Sequence, residues 1–380
     1  MIALNILFIT VLIIIVYTYL GYPVLLLVVA KFRSYEVKKS DILPKVSLII
    51  AAFNEEKAIE KKIMNSLALD YPKDKLEIIV ASDGSIDNTN NKVLEFKNEQ
   101  VKLLKFEKRK GKTHVQNESV KLASGEIVFF SDATTLYDPS IIKEMVSNFY
   151  DDNVGLVGGE LVYVNKYNMS MGEGNGMYWK YERFIKIMES RITSLIGVSG
   201  CCYAVRKESY EPIDDDLISD FVIAQLIYKK GKRAVYEQKA FSYEETNETM
   251  KDEFMMRERV SVRSLYGLFR MRELLNIKKY GFFALQLLSH KVLRYIIPVF
   301  IILLFIVSLL LAYLSESNFY KLFFLLQVTF FISAIMGFLL NKSKTIFNLP
   351  FYFCLTNFAL LMGLFKFING ERMKLWKPIR

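Results

Sequence analysis

Val46-Ser-Leu-Ile-Ile-Ala-Ala-Phe-Asn-Glu-Glu56 is the stretch from which the rest of the chain is read. Its first six residues, 46–51, form a short β-branched apolar run and read as a buried strand, and the polar pair Asn54 and Glu55 follows at once. A helix is expected from Glu55 to Leu69, with Ile59, Ile63, Leu67 and Leu69 on its apolar side and Tyr71-Pro72 ending it. The alternation then repeats. Leu76 to Ala81 is a second strand, broken by Ser82-Asp83-Gly84-Ser85, and Asp87 to Glu99 is helical in pattern. Val101 to Phe106 is a third strand, Val115 to Ala123 a helix, and Glu126 to Ser131 a fourth buried strand. Strand and helix in this order predict an α/β fold with a mostly parallel, doubly wound sheet. In such sheets ligands lie beyond the carboxyl ends of the strands. Polar residues stand there in every case: Asn54 and Glu55, Asp83, the segment Lys110 to Lys112, and Asp132. One such Asp alone reads as a turn or cap residue; four sets in register point to a site.

Outward from this region the chain becomes apolar. Of its 380 residues 52% are hydrophobic and only 24% charged, and the mean hydropathy is +0.22; part of it is expected in lipid. Met1 to Ala30 carries no charge, more than the ~20 residues a spanning helix needs, and it lacks the basic start and short apolar core of a signal peptide. Lys31, Arg33, Lys38 and Lys39 follow, which places that end in the cytosol. Ile296 to Leu314, Leu322 to Asn341 and Ile346 to Phe365 are three more uncharged stretches, with Lys291, Arg294, Lys342 and Lys344 on the cytosolic side. A full crossing by the third would put Lys366, Arg372, Lys374, Lys377 and Arg380 outside, against the same rule. With Asn348, Pro350 and Asn357 inside it, a re-entrant or interfacial element is the alternative. The expected organisation is an anchor over 1–32, a cytosolic domain over 45–250, interfacial amphipathic helices over 251–294, a transmembrane region over 295–366 and a basic tail over 367–380.

The formal charge of +10 suits lipid headgroups, nucleic acid or phosphorylated substrates and does not choose among them. Cys201, Cys202 and Cys354 make no disulfide framework, since two are neighbours and the third lies in an apolar run. Gly111-Lys-Thr113 mimics the end of a phosphate-binding loop without its upstream glycine, and no Gly-x-Gly-x-x-Gly follows the first strand, which argues against a nicotinamide enzyme. His114 and His290 are far apart and each reads as structural.

The motifs at 46–56, at Ile79-Val-Ala-Ser-Asp-Gly-Ser-Ile-Asp-Asn-Thr89, at Lys110-Gly-Lys112 with Asn117, and at Phe130-Ser-Asp-Ala133 together resemble glycosyltransferase family 2. The cellulose, chitin and hyaluronan synthase-like branch is the nearest, and the resemblance covers roughly residues 45 to 295. It implies the GT-A type fold, a Rossmann-like nucleotide-sugar domain, here with flanking transmembrane helices. It further implies inverting transfer from a nucleotide-sugar, a UDP-sugar in the first reading, to a glycan or lipid-linked acceptor at the membrane.

By the same resemblance Asp83 contacts the donor nucleoside and Lys112 lies beside its base and diphosphate, with Asn54, Glu55 and Asn117 in the donor-binding set. Asp132 is the first acid of a metal-binding Asp-x-Asp signature, which implies Mg²⁺ or Mn²⁺ as cofactor. Here the triplet is Asp132-Ala133-Thr134, so its last member offers only a neutral oxygen. Asp220, in Ile218-Ser-Asp-Phe-Val-Ile223 after the Gly-rich Gly197-Val-Ser-Gly-Cys-Cys-Tyr-Ala204, matches the catalytic base; on local sequence alone it reads equally as a helix N-cap. Of the family's Gln-x-x-Arg-Trp element, Met255-Met-Arg-Glu-Arg-Val260 keeps only Arg259, expected at the donor diphosphate. The neighbouring Arg257, Arg263, Arg270 and Arg272 are expected to face lipid headgroups. The product is thus a β-linked polysaccharide, or a single sugar on a lipid-linked acceptor; a non-catalytic membrane subunit working with other synthase subunits is the reading from another class. The expected partners include membrane lipid but no nucleic acid, and the expected location is the cell membrane, with the catalytic domain cytosolic.

Overall fold

The computed structural model describes residues 1–96, 100–164, 171–245, 249–340 and 345–373, without the side chains of 171–178 and 345. The end of the helix expected to Glu99 and the basic positions Lys342, Lys344, Lys374, Lys377 and Arg380 lie outside those residues.

Among the described residues eight strands form one sheet: β1 (Val46–Ala52), β2 (Leu76–Asp83), β3 (Val101–Phe106), β4 (Ile127–Asp132), β5 (Leu136–Tyr137), β6 (Val154–Val164), β7 (Tyr203–Arg206) and β8 (Arg233–Glu245). Their order is β3-β2-β1-β4-β7-β6-β8-β5. The first four strands pair in parallel, as the alternation of strands and helices requires. β7 then joins β4 and β6 antiparallel, β8 runs parallel to β6, and β5 closes antiparallel on β8. The parallel strands are apolar throughout because both their faces are covered. In β1, Leu48 and Ile50 enter one core and Ile49 the other, and all three are fully buried.

Strand register sets the site. Ala51 pairs with Asp132 and Ala52 with Ser82, while Asp83 pairs with Phe106. Asp83 and Asp132 therefore end the two neighbours of β1 on the same edge of the sheet. At the usual strand spacing they stand about 10 Å apart across it.

Among the described residues four helices are long and apolar enough to cross a membrane: Ile2–Phe32, Phe282–Leu314, Asn318–Leu340 and Ile346–Ile368. Phe8 of the first packs edge-on against Tyr320 and Phe323 of the third, and Val11 shares a cluster with Leu304, Val307 and Leu311 of the second. At the opposite end of the first helix, next to the sheet domain, the contacts turn polar. Tyr22 donates to Glu189 at 2.5 Å, His290 meets Glu189 at 2.8 Å and Glu182 at 3.3 Å, and Arg294 pairs with Glu182. Pairing of this kind is what permits charged side chains to be buried where the chain passes into apolar surroundings.

The last helix, Thr345–Ile368, lies alongside Met250–Arg270. Tyr352 accepts from Arg257 and donates to Glu253 at 3.1 Å. Further on, Phe358 meets Phe254, Lys366 pairs with Glu258 at 3.0 Å, and Phe367 meets Tyr266. Beyond the helix Arg372 pairs with Asp216 of the sheet domain. The contacts advance along both helices together, so the two run parallel and the second ends against the domain. This corrects the expectation for two of the arginines. Arg257 and Arg263 are buried instead of facing headgroups, while Arg270 and Arg272 are exposed. The pattern of one helix shows an apolar face and a basic face; it does not show that a second helix covers part of the basic one.

Candidate active site

The β1 and β2 edges are stitched by backbone-directed side chains. Asn54 has a positive φ of 52°, which turns the chain out of β1; its N–H donates to Ser85 Oγ at 3.0 Å and its Oδ1 accepts from the Ile86 N–H at 2.9 Å. Glu55 is buried, its N–H donates to Thr89 Oγ1 at 2.7 Å, and its carbonyl opens the helix Ile59–Leu67. The turn made by residues 53–58 is why that helix starts four residues later than its pattern suggests.

Asp83 accepts the N–H groups of Lys110 at 2.7 Å and Gly111 at 2.9 Å, folding the 108–111 loop over the end of β2. Gly111 adopts φ +104° and the helix Lys112–Leu122 begins directly after it, three residues before the expected start at Val115. The Arg109 guanidinium lies 3.7 Å from the centre of the Phe53 ring, a cation–π contact beside the Asp83 loop. Each Asp83 oxygen keeps a second lone pair for a ligand. Asn117 does otherwise. Its amide donates to the Ile213 carbonyl and its oxygen accepts from Tyr210, both at 2.8 Å. That bonding makes it a brace for the 210–213 segment and lends no support to the donor contact expected of it.

Lys112 reaches the centre of the arrangement. Its ammonium pairs with Asp132 and donates to the Gly200 carbonyl at 2.9 Å. Burial works against this charge, but Asp132 and then Asp220 act together against that effect and the Lys112 pKa is raised. Asp220 stands just beyond. A Cβ on Gly200 would lie 2.6 Å from Asp220 Oδ2, so the glycine leaves the space the carboxylate uses. Asp220 is the second residue of the helix Ser219–Lys229, whose N-cap is Ile218, and its side chain caps nothing. Its Oδ1 is inaccessible and has no hydrogen-bond partner among the described residues, so this oxygen is not spent on capping the helix. Burial pushes its pKa up, with Asp132 adding and Lys112, Arg263 and Lys291 holding it back.

Two arginines approach these acids from Met250–Arg270. Arg259 is brought down to about 10 by burial and by its neighbour Arg263, with Asp132 opposing. Arg263 donates to the Leu217 carbonyl at 2.7 Å and to Thr113 Oγ1 at 3.3 Å, while its buried Nε has no partner. One helical turn separates them, so both lie on one face. Asp132, Asp220, Lys112 and Arg259 are therefore brought together, Asp83 adjoins them through Gly111, and Arg263, expected at lipid headgroups, joins them.

The acid end holds hard oxygen donors. Asp132 is accompanied by the Thr134 hydroxyl, which lies 3.5 Å from a carboxylate oxygen of Glu244. Burial, then the charge of Asp132, pushes Glu244 up to about 7. No group of three His, Cys, Asp or Glu side chains suited to a metal occurs among the described residues. One or two carboxylates completed by phosphate oxygens are nonetheless the usual surroundings of Mg²⁺, and the Lys112 ammonium shows that the place beside Asp132 accepts a cation.

Gly200→Ala is expected to lower turnover about tenfold, because the methyl must displace the Asp220 carboxylate by less than an ångström and misplacement on that scale is costly. Steady-state rates with nucleotide binding measured alongside check this; unchanged rates would mean that the carboxylate is not held where it is needed.

Comparison with known proteins follows the same lines. The family described as Glycosyl transferase family 2 matches residues 47–214. A poly-beta-1,6-N-acetyl-D-glucosamine synthase of Staphylococcus aureus is 28% identical over 279 residues, 71% of this chain and 67% of that protein. The synthase of the same name from Staphylococcus epidermidis is 28% identical over 211 residues, 54% of this chain and 51% of its own. In structure, a mannosyltransferase of Pyrobaculum calidifontis in complex with GDP-Man and Mn²⁺ superposes with a TM-score of 0.73 at 20% identity, covering 96% of this chain and 99% of the other. That likeness speaks for the GT-A fold.

Proposed function

We propose, on the premise that residues 47–214 are a glycosyl transferase family 2 domain and the chain a membrane glycosyltransferase, that it moves a sugar from a UDP-sugar to an acceptor hydroxyl at the cytosolic face of the membrane. The observation that carries this reading is the meeting of Asp132, Lys112 and Asp220 at one edge of the sheet, with the Asp83 loop beside them. Asp83 and the Arg109–Phe53 pair hold the nucleoside. Lys112 and Arg259 hold the diphosphate. Asp132 holds a divalent cation, Mg²⁺ or Mn²⁺, which when bound offsets the charge that gathers on the leaving diphosphate. Asp220 takes the proton of the acceptor hydroxyl as its oxygen bonds to the anomeric carbon. The bond from that carbon to the diphosphate breaks on the opposite side, and its electron pair leaves with the nucleotide. One displacement of this kind inverts the anomeric centre.

The relatives named as poly-beta-1,6-N-acetyl-D-glucosamine synthases favour UDP-N-acetylglucosamine as donor and a growing β-linked glycan as acceptor. A second reading, one sugar added to a lipid-linked acceptor, is favoured by Met256 and Val260, which stand where the family's Gln and Trp would flank Arg259. Incubation of the purified chain with UDP-N-acetylglucosamine and Mn²⁺, read as released UDP and product length, tests both. A ladder of oligomers supports polymer synthesis, a single addition supports the second reading, and no release of UDP from any UDP-sugar overturns the donor assignment.

The parallel run of Thr345–Ile368 along Met250–Arg270 favours an interfacial place for the last helix, with three crossings and a cytosolic end. This keeps Lys366 and Arg372 on the side the positive-inside rule prefers. Glu316→Cys is then expected to react with an impermeant maleimide on intact cells and Glu371→Cys only after permeabilisation. Reaction of Glu371→Cys on intact cells would restore a fourth crossing.

A further inference from the structure

The triplet Asp132-Ala133-Thr134 has one acid, and a nucleotide-bound divalent cation ordinarily takes one or two carboxylates besides the phosphates. The β5–β8 ladder brings a second acid to this turn. β5 pairs antiparallel with β8 through Leu136 with Tyr243 and Tyr137 with Ser242. One step further along the same register lies Thr135 opposite Glu244. There the Glu244 carboxylate sits 3.5 Å from the Thr134 hydroxyl, two residues from Asp132. Among the described residues no Lys or Arg forms an ion pair with it.

We propose that Glu244, at the end of β8, is the second carboxylate of the divalent-cation site, taking the part that Thr134 leaves open. This rests on the reading of Asp132 as a metal ligand and deepens it. The ligand comes from a strand more than a hundred residues further along the chain, so the cation would tie the β8 end of the sheet to the β4 end. The turn 132–135 is already pinned there, since the buried Lys62 ammonium donates to the Thr135 carbonyl at 2.6 Å.

The experiment uses the full chain in detergent with UDP as the nucleotide, and reads bound Mn²⁺ from the electron paramagnetic resonance of the free ion. Wild type is expected to take up Mn²⁺ in a UDP-dependent way. Glu244→Gln should weaken that uptake by at least about tenfold, in the range that loss of a group at a metal site produces. Adding Thr134→Asp to Glu244→Gln should restore most of the loss, which also shows that the variant folds. Wild-type uptake in Glu244→Gln, or no recovery on adding Thr134→Asp, overturns the assignment while leaving Asp132 in place. UDP binding by wild type that is indifferent to Mn²⁺ removes the Asp132 reading and this one together.

Discussion

Asp220→Asn is expected to reduce sugar transfer about 10³-fold, within the range attributed to a positioned general base, while UDP binding stays within about twofold of wild type by the same logic. The amide has nearly the shape of the carboxylate and cannot take the acceptor proton. A second readout comes from pH. Because burial raises the Asp220 pKa, the acid limb of the wild-type rate profile should lie above the ordinary carboxylate range, with activity falling as pH drops through it. That limb should vanish in the variant. A third comes from stability. An acid whose folded pKa is raised is accommodated less well as an anion in the fold than in the unfolded chain, so at pH values above both pKa values its ionisation subtracts from stability. Asp220→Asn should therefore melt at the same temperature as wild type or slightly higher at neutral pH. Retained activity would remove the base assignment, and a large fall in Tm would mean that the loss of rate reflects damage to the fold.

The parallel half of the sheet was legible because each of its signals is local. Strands expected at 46–51, 76–81, 101–106 and 126–131 occur at Val46–Ala52, Leu76–Asp83, Val101–Phe106 and Ile127–Asp132, and the polar residues after them fall on one edge as parallel pairing demands. Helix starts were less legible, since they depend on backbone turns at Asn54 and Gly111 that no periodicity reveals. What the sequence does not display is pairing between distant segments. Glu244 lies 110 residues from Thr134, and Arg263 lies 150 from Thr113. On a helical wheel Arg263 is one basic residue among several. Its burial is decided by the packing of Met250–Arg270 on the Ser219–Lys229 helix, where Gly267 lies against Phe221 and Val222. The last helix was ambiguous for a related reason: its composition permits a crossing, and only its contacts with Arg257, Glu258 and Tyr266 favour another course.

Arg263 therefore carries the most informative remaining prediction, as a positioning residue for Asp220. Its guanidinium holds the Leu217 carbonyl and the Thr113 hydroxyl, fixing the approach to the helix that carries the base, and its charge helps to keep Asp220 ionised. Arg263→Met removes both effects. The rate should fall about 10²-fold, the scale of a misplaced reacting group. Loss of a nearby cation disfavours the carboxylate anion, so the acid limb of the pH profile should also move to higher pH. Arg263→Lys separates the two contributions. It keeps a positive charge but not the planar fork that reaches two acceptors at once, so its acid limb should stay near that of wild type while the maximal rate remains depressed. A purely structural arginine would lower the yield or the Tm of both variants and leave the acid limb in place, and an unshifted limb in Arg263→Met would break the link between this residue and the base.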